Sequence, residues 1–337
     1  MRDRSDPGRR ADRTELRDAP VPYVFVVGAA RSGTELLRRI LDAHPDIAMT
    51  PESHWITRYQ KAGLVPDGVV TPALIDRLKH SYWFGLLGIA DRELDDLATQ
   101  RGDWSYAAFV SAVFALYGRR RNKPLVGDKT PSHVRSISTL HRLFPNAKIV
   151  HIIRDGRDVT LSLLDWPKAA RVVGRFSTWT DDPVSTSALW WEWSVRRGRE
   201  AAAKLPQGRY LETKYEVIVR EPAEAVAAVC EFLHLEYAPE MLEFNRGREV
   251  DDPALDAKDA WRPITPGLRD WREEMSPDQI GRFEDVAGDL LRELGYPSAE
   301  ARTGADDHSY AVALRQRFID DAGRQGSPVP QRWRSQR

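Results

Sequence analysis

The stretch Tyr23-Val24-Phe25-Val26-Val27-Gly28-Ala29-Ala30-Arg31-Ser32-Gly33-Thr34-Glu35-Leu36-Leu37 leaves little freedom of local fold. Aromatic and β-branched residues run into a turn bracketed by two glycines, and apolar residues from Leu36 to Leu41 follow at helical spacing. The order is strand, phosphate-sized loop and helix N-terminus, where free backbone N–H groups and the helix dipole attract an anion. Gly28 and Gly33 are spaced as in a Walker loop, but Thr34 stands where that loop has its lysine, and the cation is Arg31, inside the loop. A loop of this kind holds a terminal anionic group, though not as an NTPase does. Taken alone, it is also compatible with a plain strand-to-helix connection.

A second element narrows the reading. Ala147-Lys148-Ile149-Val150-His151-Ile152-Ile153 reads as a buried parallel strand. It ends in Arg154-Asp155-Gly156-Arg157-Asp158, after which a helix carries Val159 to Leu164. Arg154 is then at the carboxyl end of a strand, where open α/β sheets place their ligands. Ser162 lies about two turns into the helix and can turn its hydroxyl to the same ligand. The alternative is a loop arginine paired with Asp155 or Asp158. Two anion-ready strand ends in one sheet favour the ligand.

On these two elements the chain resembles the sulfotransferases that use 3′-phosphoadenosine 5′-phosphosulfate (PAPS). The resemblance is strongest to the tyrosylprotein sulfotransferase branch and its bacterial relatives. It rests on Arg31-Ser32-Gly33-Thr34, on Leu41-Asp42-Ala43-His44-Pro45-Asp46, and on Phe144-Pro145-Asn146-Ala147-Lys148 through Arg154 and Ser162. Weaker matches continue to Gly295-Tyr296, so the likeness spans residues 20–297. It implies that the first loop grips the 5′-phosphosulfate and that Arg154 and Ser162 hold the 3′-phosphate. The fold expected is α/β, a P-loop-like three-layer fold with a central parallel sheet flanked by helices.

Bulk properties bound the rest. The 337 residues suffice for a substantial core, and 50 basic residues balance 50 acidic ones, so no global field invites nucleic acid or a membrane surface. The single cysteine, Cys230, falls in an amphipathic segment and reads as a small core residue. No apolar run is long enough to span a bilayer, and residues 1–19 lack the apolar stretch of a signal peptide, so a cytoplasmic protein is expected.

Residues 1–19, polar and rich in Arg and Asp, read as a disordered arm. Residues 20–297 read as a single sulfotransferase domain. Within it, the aromatic-rich stretch 54–122 is expected as a helical insertion over the carboxyl edge of the sheet, binding the acceptor. Leu125-Val126-Gly127 and Arg209-Tyr210-Leu211-Glu212 are strand candidates; Ala188 to Leu205, Glu221 to Leu233 and a Ser276-capped segment ending at Leu294 are helix candidates. Residues 298–337 are expected as a partly disordered extension with one short helix around Tyr310 to Asp321.

The chemistry can be carried over by analogy with phosphoryl transfer, where positioning and electrostatics do most of the work. A sulfuryl group carries less charge than a phosphoryl group, so no metal is demanded. The resemblance makes Arg31 and Lys129 the catalytic cations, Lys129 beside the bridging oxygen, and makes Glu52, in Thr50-Pro51-Glu52-Ser53, the base. Read without it, Lys129 is a surface partner of Asp128 and Glu52 a helix-capping carboxylate. His54, His133 and His44 are rival bases. Thr34 and the N–H groups of Ser32, Gly33 and Glu35 are expected around the 5′-phosphate, although the Glu35 carboxylate is unwelcome there unless it points away. Tyr215, in Lys214-Tyr215-Glu216-Val217, matches a nucleotide-contacting element of relatives, and Arg262, in a late basic loop from Lys258 to Pro263, is assigned to the 3′-phosphate; its alternative is a salt bridge with Asp259.

The expected reaction moves the sulfuryl group of PAPS to a hydroxyl of a small molecule or glycan, leaving adenosine 3′,5′-bisphosphate, with no nucleic-acid partner and the oligomeric state open. The rivals are a P-loop kinase of a small metabolite and a nucleotide-binding protein without turnover. The kinase needs a lysine after Gly33, which the chain lacks.

Overall fold

Five short strands, all parallel, set the geometry of everything else. In the computed structural model, which describes residues 21–61, 63–246, 262–298 and 305–334, β1 (Val24–Val27), β2 (Ile47–Thr50), β3 (Leu125–Lys129), β4 (Lys148–Ile153) and β5 (Tyr210–Lys214) lie in the order β2-β3-β1-β4-β5. Val26 pairs with Lys129, Thr50 with Asp128, Val27 with His151 and Ile153 with Lys214. Because the strands run the same way, the residues that leave each of them gather at one edge. β1 to β4 are buried throughout, which is why they read as apolar runs rather than as alternating ones.

Helices cover both faces. Val24 and Val26 pack toward α1 (Thr34–Asp42), through Leu37, Ile40 and Leu41. Phe25 and Val27 pack toward α2 (Tyr106–Arg120), through Phe109, Val113 and Phe114. α3 (Gly156–Leu164) and α4 (Pro183–Ala202) follow β4, and α5 (Pro222–Leu233) joins α1 on its face with Val226, Val229 and Leu233. α6 (Pro277–Glu293) and α7 (Ala305–Arg324) complete a third cluster, in which Trp191 and Trp193 meet Phe283 and Phe318. Full burial of each such side chain contributes about 1.5–3 kcal/mol before entropy is counted.

The differences from the sequence reading have local causes. β2 is not among the strand candidates; four residues give too short an apolar run to announce a strand. α4 starts at Pro183 rather than Ala188, because Asp182 caps it, its Oδ1 accepting from the Ser185 N–H at 3.0 Å, and Pro183 suits the first turn. Within the insertion, α2 lies along β2 and β3, with the Tyr117 hydroxyl donating to the Met49 carbonyl at 3.2 Å. It therefore covers the sheet's face rather than its carboxyl edge. At the edge the insertion contributes His54 and, from a short helix over Tyr82–Gly85, Trp83.

The C-terminal helix is longer than the expected Tyr310 to Asp321, and Phe318 stacks on Phe176 with ring centroids 3.9 Å apart. Trp333 is buried beyond it. Cys230 is buried beside Met241, and burial pushes its thiol up to about 11. Residues 1–19 and Lys258 to Trp261 lie outside the described residues. Among the described residues, no helix is long and apolar enough to cross a membrane.

Candidate active site

The loop between β1 and α1 turns sharply. Arg31 and Gly33 have φ of 71° and 92°, in the left-handed region. Glycine is required at 33 for a second reason: a Cβ there would lie 2.4 Å from Cδ2 of Tyr215. The Tyr215 ring thus packs directly on the loop, from the first turn of the helix after β5. The Ser32 N–H, expected at the anion, instead closes the turn on the Ala29 carbonyl at 3.2 Å. The first bond of α1 is from the Leu37 N–H to the Gly33 carbonyl, at 3.1 Å. The N–H groups of the helix's first turn are left to a ligand, with Thr34 at their head.

The two anion-ready elements meet. Arg31 Nε donates to Ser162 Oγ at 2.9 Å, and its guanidinium lies 5.5 Å from the centroid of the Trp166 ring. Arg154 is buried, its guanidinium 4.4 Å from the centroid of the Tyr215 ring and 3.8 Å from the Asp158 carboxylate. Burial raises Asp158 to about 6, against the opposing pull of Arg154. Neither Arg154 Nε nor Ser32 Oγ, both buried, has a hydrogen-bond partner among the described residues. Orphaned donors of this kind are costly unless a ligand supplies acceptors, and two of them beside a helix N-terminus fit a polyanionic nucleotide.

On the other side of β1 the charges are satisfied within the protein. Lys129, the last residue of β3, is buried and places Nζ 2.7 Å from Glu52 Oε1 and 3.1 Å from Glu35 Oε2. Glu35 points away from the loop: its Oε1 also accepts from Arg38 Nη2 at 2.7 Å and from Arg39 Nε at 3.1 Å. Its assigned cofactor contact is therefore limited to its backbone, and the unwelcome carboxylate is neutralised. Glu52 Oε2 lies 2.8 Å from His54 Nε2, and His54 Nδ1 lies 3.0 Å from Ser132 Oγ. The ring of Trp83 meets that of His54 edge-on at 4.5 Å.

These contacts decide the protonation states. Burial alone would raise the Glu35 carboxyl, but Lys129 and Arg38 hold it well below the usual range. Burial is likewise overcome at Glu52, which Lys129 and the His54 hydrogen bond bring down to about 2. Lys129 is raised: burial opposes its charge, and Glu52 and Glu35 more than restore it.

The remaining candidates separate. Lys129 does not pair with Asp128, whose oxygens serve Thr50, Thr130 and His133. His133 is buried at that carboxylate, and His44 binds the Glu236 carbonyl, so of the rival bases only His54 stands at the site. Arg262 is exposed. Sequence reasoning missed Arg38, Ser132 and Trp166, and held Trp83 only as one of the many aromatic residues of the insertion. Arg38 alone had a signal, lying three residues after Glu35 on one helix. Among the described residues, no three or more His, Cys, Asp or Glu side chains converge to hold a metal.

Comparison with known proteins agrees with this geometry. Residues 22–239 match the model of the sulfotransferase family. A Caenorhabditis briggsae protein carrying the provisional name protein-tyrosine sulfotransferase is 28% identical over 298 residues, covering 85% of this chain and 95% of its own. The sulfotransferase domain of the Synechococcus PCC 7002 olefin synthase superposes with a TM-score of 0.51 at 25% identity, covering 80% of this chain and 95% of its own. The sulfotransferase domain from the curacin biosynthetic pathway shares the fold, with a TM-score of 0.57 at 18% identity over 83% of this chain and all of its own. With the anion loop, the strand-end arginine and the buried lysine all at one sheet edge, the chain belongs to the family of PAPS-dependent sulfotransferases.

Proposed function

We propose that the chain transfers the sulfuryl group of PAPS to a hydroxyl of a small molecule or glycan, with Glu52 as base and Lys129 and Arg31 as the cations at the leaving group. The observation that carries this is the 2.7 Å contact of Lys129 Nζ with Glu52 Oε1, at neighbouring strand ends beside the anion loop. The bound donor supplies an activated sulfuryl group, whose bond to the bridging phosphate oxygen breaks as a new bond to the acceptor oxygen forms. Lys129 balances the charge that grows on the bridging oxygen. Glu52 takes the acceptor proton. A carboxyl near 2 is a poor base, so a turn of Lys129 from Glu52 toward the leaving oxygen raises the proton affinity of Glu52 when it is needed. Glu35, fixed by Arg38 and Arg39, keeps a hold on Lys129 meanwhile. Arg31, Ser32, Gly33, Thr34 and the Glu35 N–H would serve the 5′ side of the donor; Arg154, Ser162, Tyr215 and Arg262 the 3′ side.

His54 and Trp83 stand beside the base, which supports an acceptor whose hydroxyl is borne on a ring. A protein tyrosine, which the name of the worm relative states of that protein, is the second reading of the acceptor. The proposed setting is the cytoplasm, which suits a chain whose single cysteine is buried and reduced.

The test is thermal stabilisation by adenosine 3′,5′-bisphosphate against ADP and ATP-Mg, repeated on Arg154→Ala. At a hundred times its dissociation constant the bisphosphate adds about 2.7 kcal/mol. Stabilisation by the bisphosphate and its loss in Arg154→Ala are expected. Stabilisation by ATP-Mg that ignores Arg154 would replace this reading with the kinase.

A further inference from the structure

When Lys129 turns toward the leaving oxygen, Glu52 gives up the cation on its Oε1, and a carboxylate that is to stay aimed at the acceptor needs a second hold. The segments that follow β2 and β3 supply one. They are tied together step by step from their strand ends outward. Thr50 Oγ1 donates to Asp128 Oδ1 at 3.1 Å, Lys129 Nζ to Glu52 Oε1 at 2.7 Å, and the Ser53 N–H to Thr130 Oγ1 at 2.7 Å. The outermost tie runs from Ser132 Oγ to His54 Nδ1 at 3.0 Å, and His54 Nε2 continues it to Glu52 Oε2 at 2.8 Å. The Trp83 ring packs edge-on against the imidazole, with centroids 4.5 Å apart, and fixes its plane.

Chemistry sets the direction of each bond in this chain. Lys129, 2.7 Å from Glu52, keeps the carboxylate ionised, so Oε2 can only accept. His54 Nε2 therefore carries a proton, whichever charge the ring bears. In the neutral ring Nδ1 is bare and accepts from the Ser132 hydroxyl, a donor standing where that tautomer requires one. His54 is thus left with no nitrogen open to an acceptor hydroxyl: one already bears a proton, and the other is engaged by Ser132. It is unsuited to be the base and well suited to hold it.

Resting on the sulfuryl-transfer reading, we infer that His54, locked in one tautomer by Ser132, is the positioning residue of the base: it holds Glu52 by Oε2, so that Oε1 takes the acceptor proton once Lys129 uncovers it. In that step the acceptor O–H bond breaks as its oxygen bonds to sulfur, and the proton passes to Oε1. The bond from sulfur to the bridging oxygen breaks with its electron pair left on the phosphate. His54 neither gains nor loses a proton. Its contribution is alignment, and a reacting group displaced by about 1 Å can cost on the order of a hundredfold in rate.

The experiment uses the full chain and the variants His54→Ala, His54→Gln and Ser132→Ala, each checked for folding by its melting temperature and its binding of adenosine 3′,5′-bisphosphate. Nitrogen NMR of the protein with labelled histidine, His54 being identified by its variants, is expected to show at pH 8.5 a ring protonated on Nε2 and bare on Nδ1. In Ser132→Ala the two tautomers should mix. A wild-type ring protonated on Nδ1 alone would make His54 an open base and overturn the assignment. Turnover is then compared at pH 8.5 for phenol, whose proton must be removed, and for 4-nitrophenol, which has already lost it. His54→Ala should lower kcat for phenol about ten- to a hundredfold. His54→Gln, whose amide N–H reaches for the same oxygen, should recover most of that loss, and Ser132→Ala should fall between. With 4-nitrophenol, which needs no base, His54→Ala should lose no more than a few fold. Equal losses on the two phenols would mean that His54 only supports the local fold, and would overturn the positioning role; so would an undiminished kcat for phenol. If wild type accepts neither phenol, the tautomer alone decides. Absence of bisphosphate binding in wild type overturns the functional reading instead.

Discussion

The two halves of the carboxyl edge are built on opposite electrostatic plans. Around β2 and β3, Lys129, Arg38 and Arg39 meet Glu35 and Glu52 in one closed network, with every charge answered inside the protein. Around β4, Arg154 Nε and Ser32 Oγ are buried and unanswered among the described residues, and Asp158 stands too far from Arg154 for a short hydrogen bond. The first half is organised before any ligand arrives, so the proposed reaction needs one rearrangement there, the turn of Lys129 from Glu52 toward the leaving oxygen. The second is left polar and incomplete, so a ligand there gains the bonds that the protein forgoes. The proposed function puts chemistry where the network is closed and binding where it is open.

If that division holds, substitutions in the closed half should act on rate and those in the open half on affinity. The largest effect is expected in the closed half. Lys129→Ala should lower kcat by about a hundred- to a thousandfold, and Glu52→Gln by about a hundred- to ten-thousandfold. Both should leave the dissociation constant of adenosine 3′,5′-bisphosphate within a few fold of wild type, as measured by calorimetry. Lys129→Ala also leaves Glu52 and Glu35 without their shared cation and should lower the melting temperature, which Glu52→Gln should not. The next effect belongs to the open half: Arg154→Ala should weaken the bisphosphate about ten- to a hundredfold while kcat at saturating donor changes little. A large kcat loss in Arg154→Ala with unaltered affinity would dissolve the distinction between the halves.

A smaller effect tests the seam between them. Gly33→Ala must accept φ of 92° and a Cβ 2.4 Å from the Tyr215 ring, so it should cost about 1–3 kcal/mol of stability. Pairing it with Tyr215→Ala should relieve the clash but not the backbone strain. A double variant no more stable than Gly33→Ala would show that the ring does not press on the loop.

How far the sequence could be read follows the same physics. β1 and β4 were legible because each is a buried apolar run that ends in a charged turn, and Arg154 and Gly33 followed from where those runs end. β2 was not, since four residues carry no period, and so Glu52 was reached through family resemblance rather than through its place on the sheet. The Glu35 carboxylate was an awkward residue in sequence; it stands on α1 while its partner Lys129 ends β3, and no spacing rule joins the two. His54 was visible as a titratable neighbour of Glu52, whereas Ser132 and Trp83, which complete its surroundings, come from remote segments. Contacts along one element leave a mark in sequence, and contacts across the sheet edge leave none.

The smallest effect expected is also the most specific to the open half. Asp158 is raised to about 6 by burial, which outweighs Arg154 beside it. The unfolded value is about 3.9, so the native state binds the proton more tightly than the unfolded one between those limits. A carboxyl raised in this way stabilises the fold below the unfolded value, and that contribution is lost as pH rises through the folded one. Asp158→Asn removes the titration while keeping an oxygen to accept from the Trp271 N–H, now at 3.0 Å. It should therefore be more stable than wild type at pH 7.5 by about 1–2 kcal/mol, with the difference shrinking toward pH 4. It also withdraws the one carboxylate facing Arg154 across 3.8 Å, so the bisphosphate should bind a few fold more tightly at pH 7.5 and no differently at pH 5. Melting curves and calorimetry at the two pH values decide it. Tighter binding at both would mean that Asp158 is already ionised at pH 5. Weaker binding at pH 7.5 would mean that Asp158 aims Arg154 at the ligand rather than competing with it.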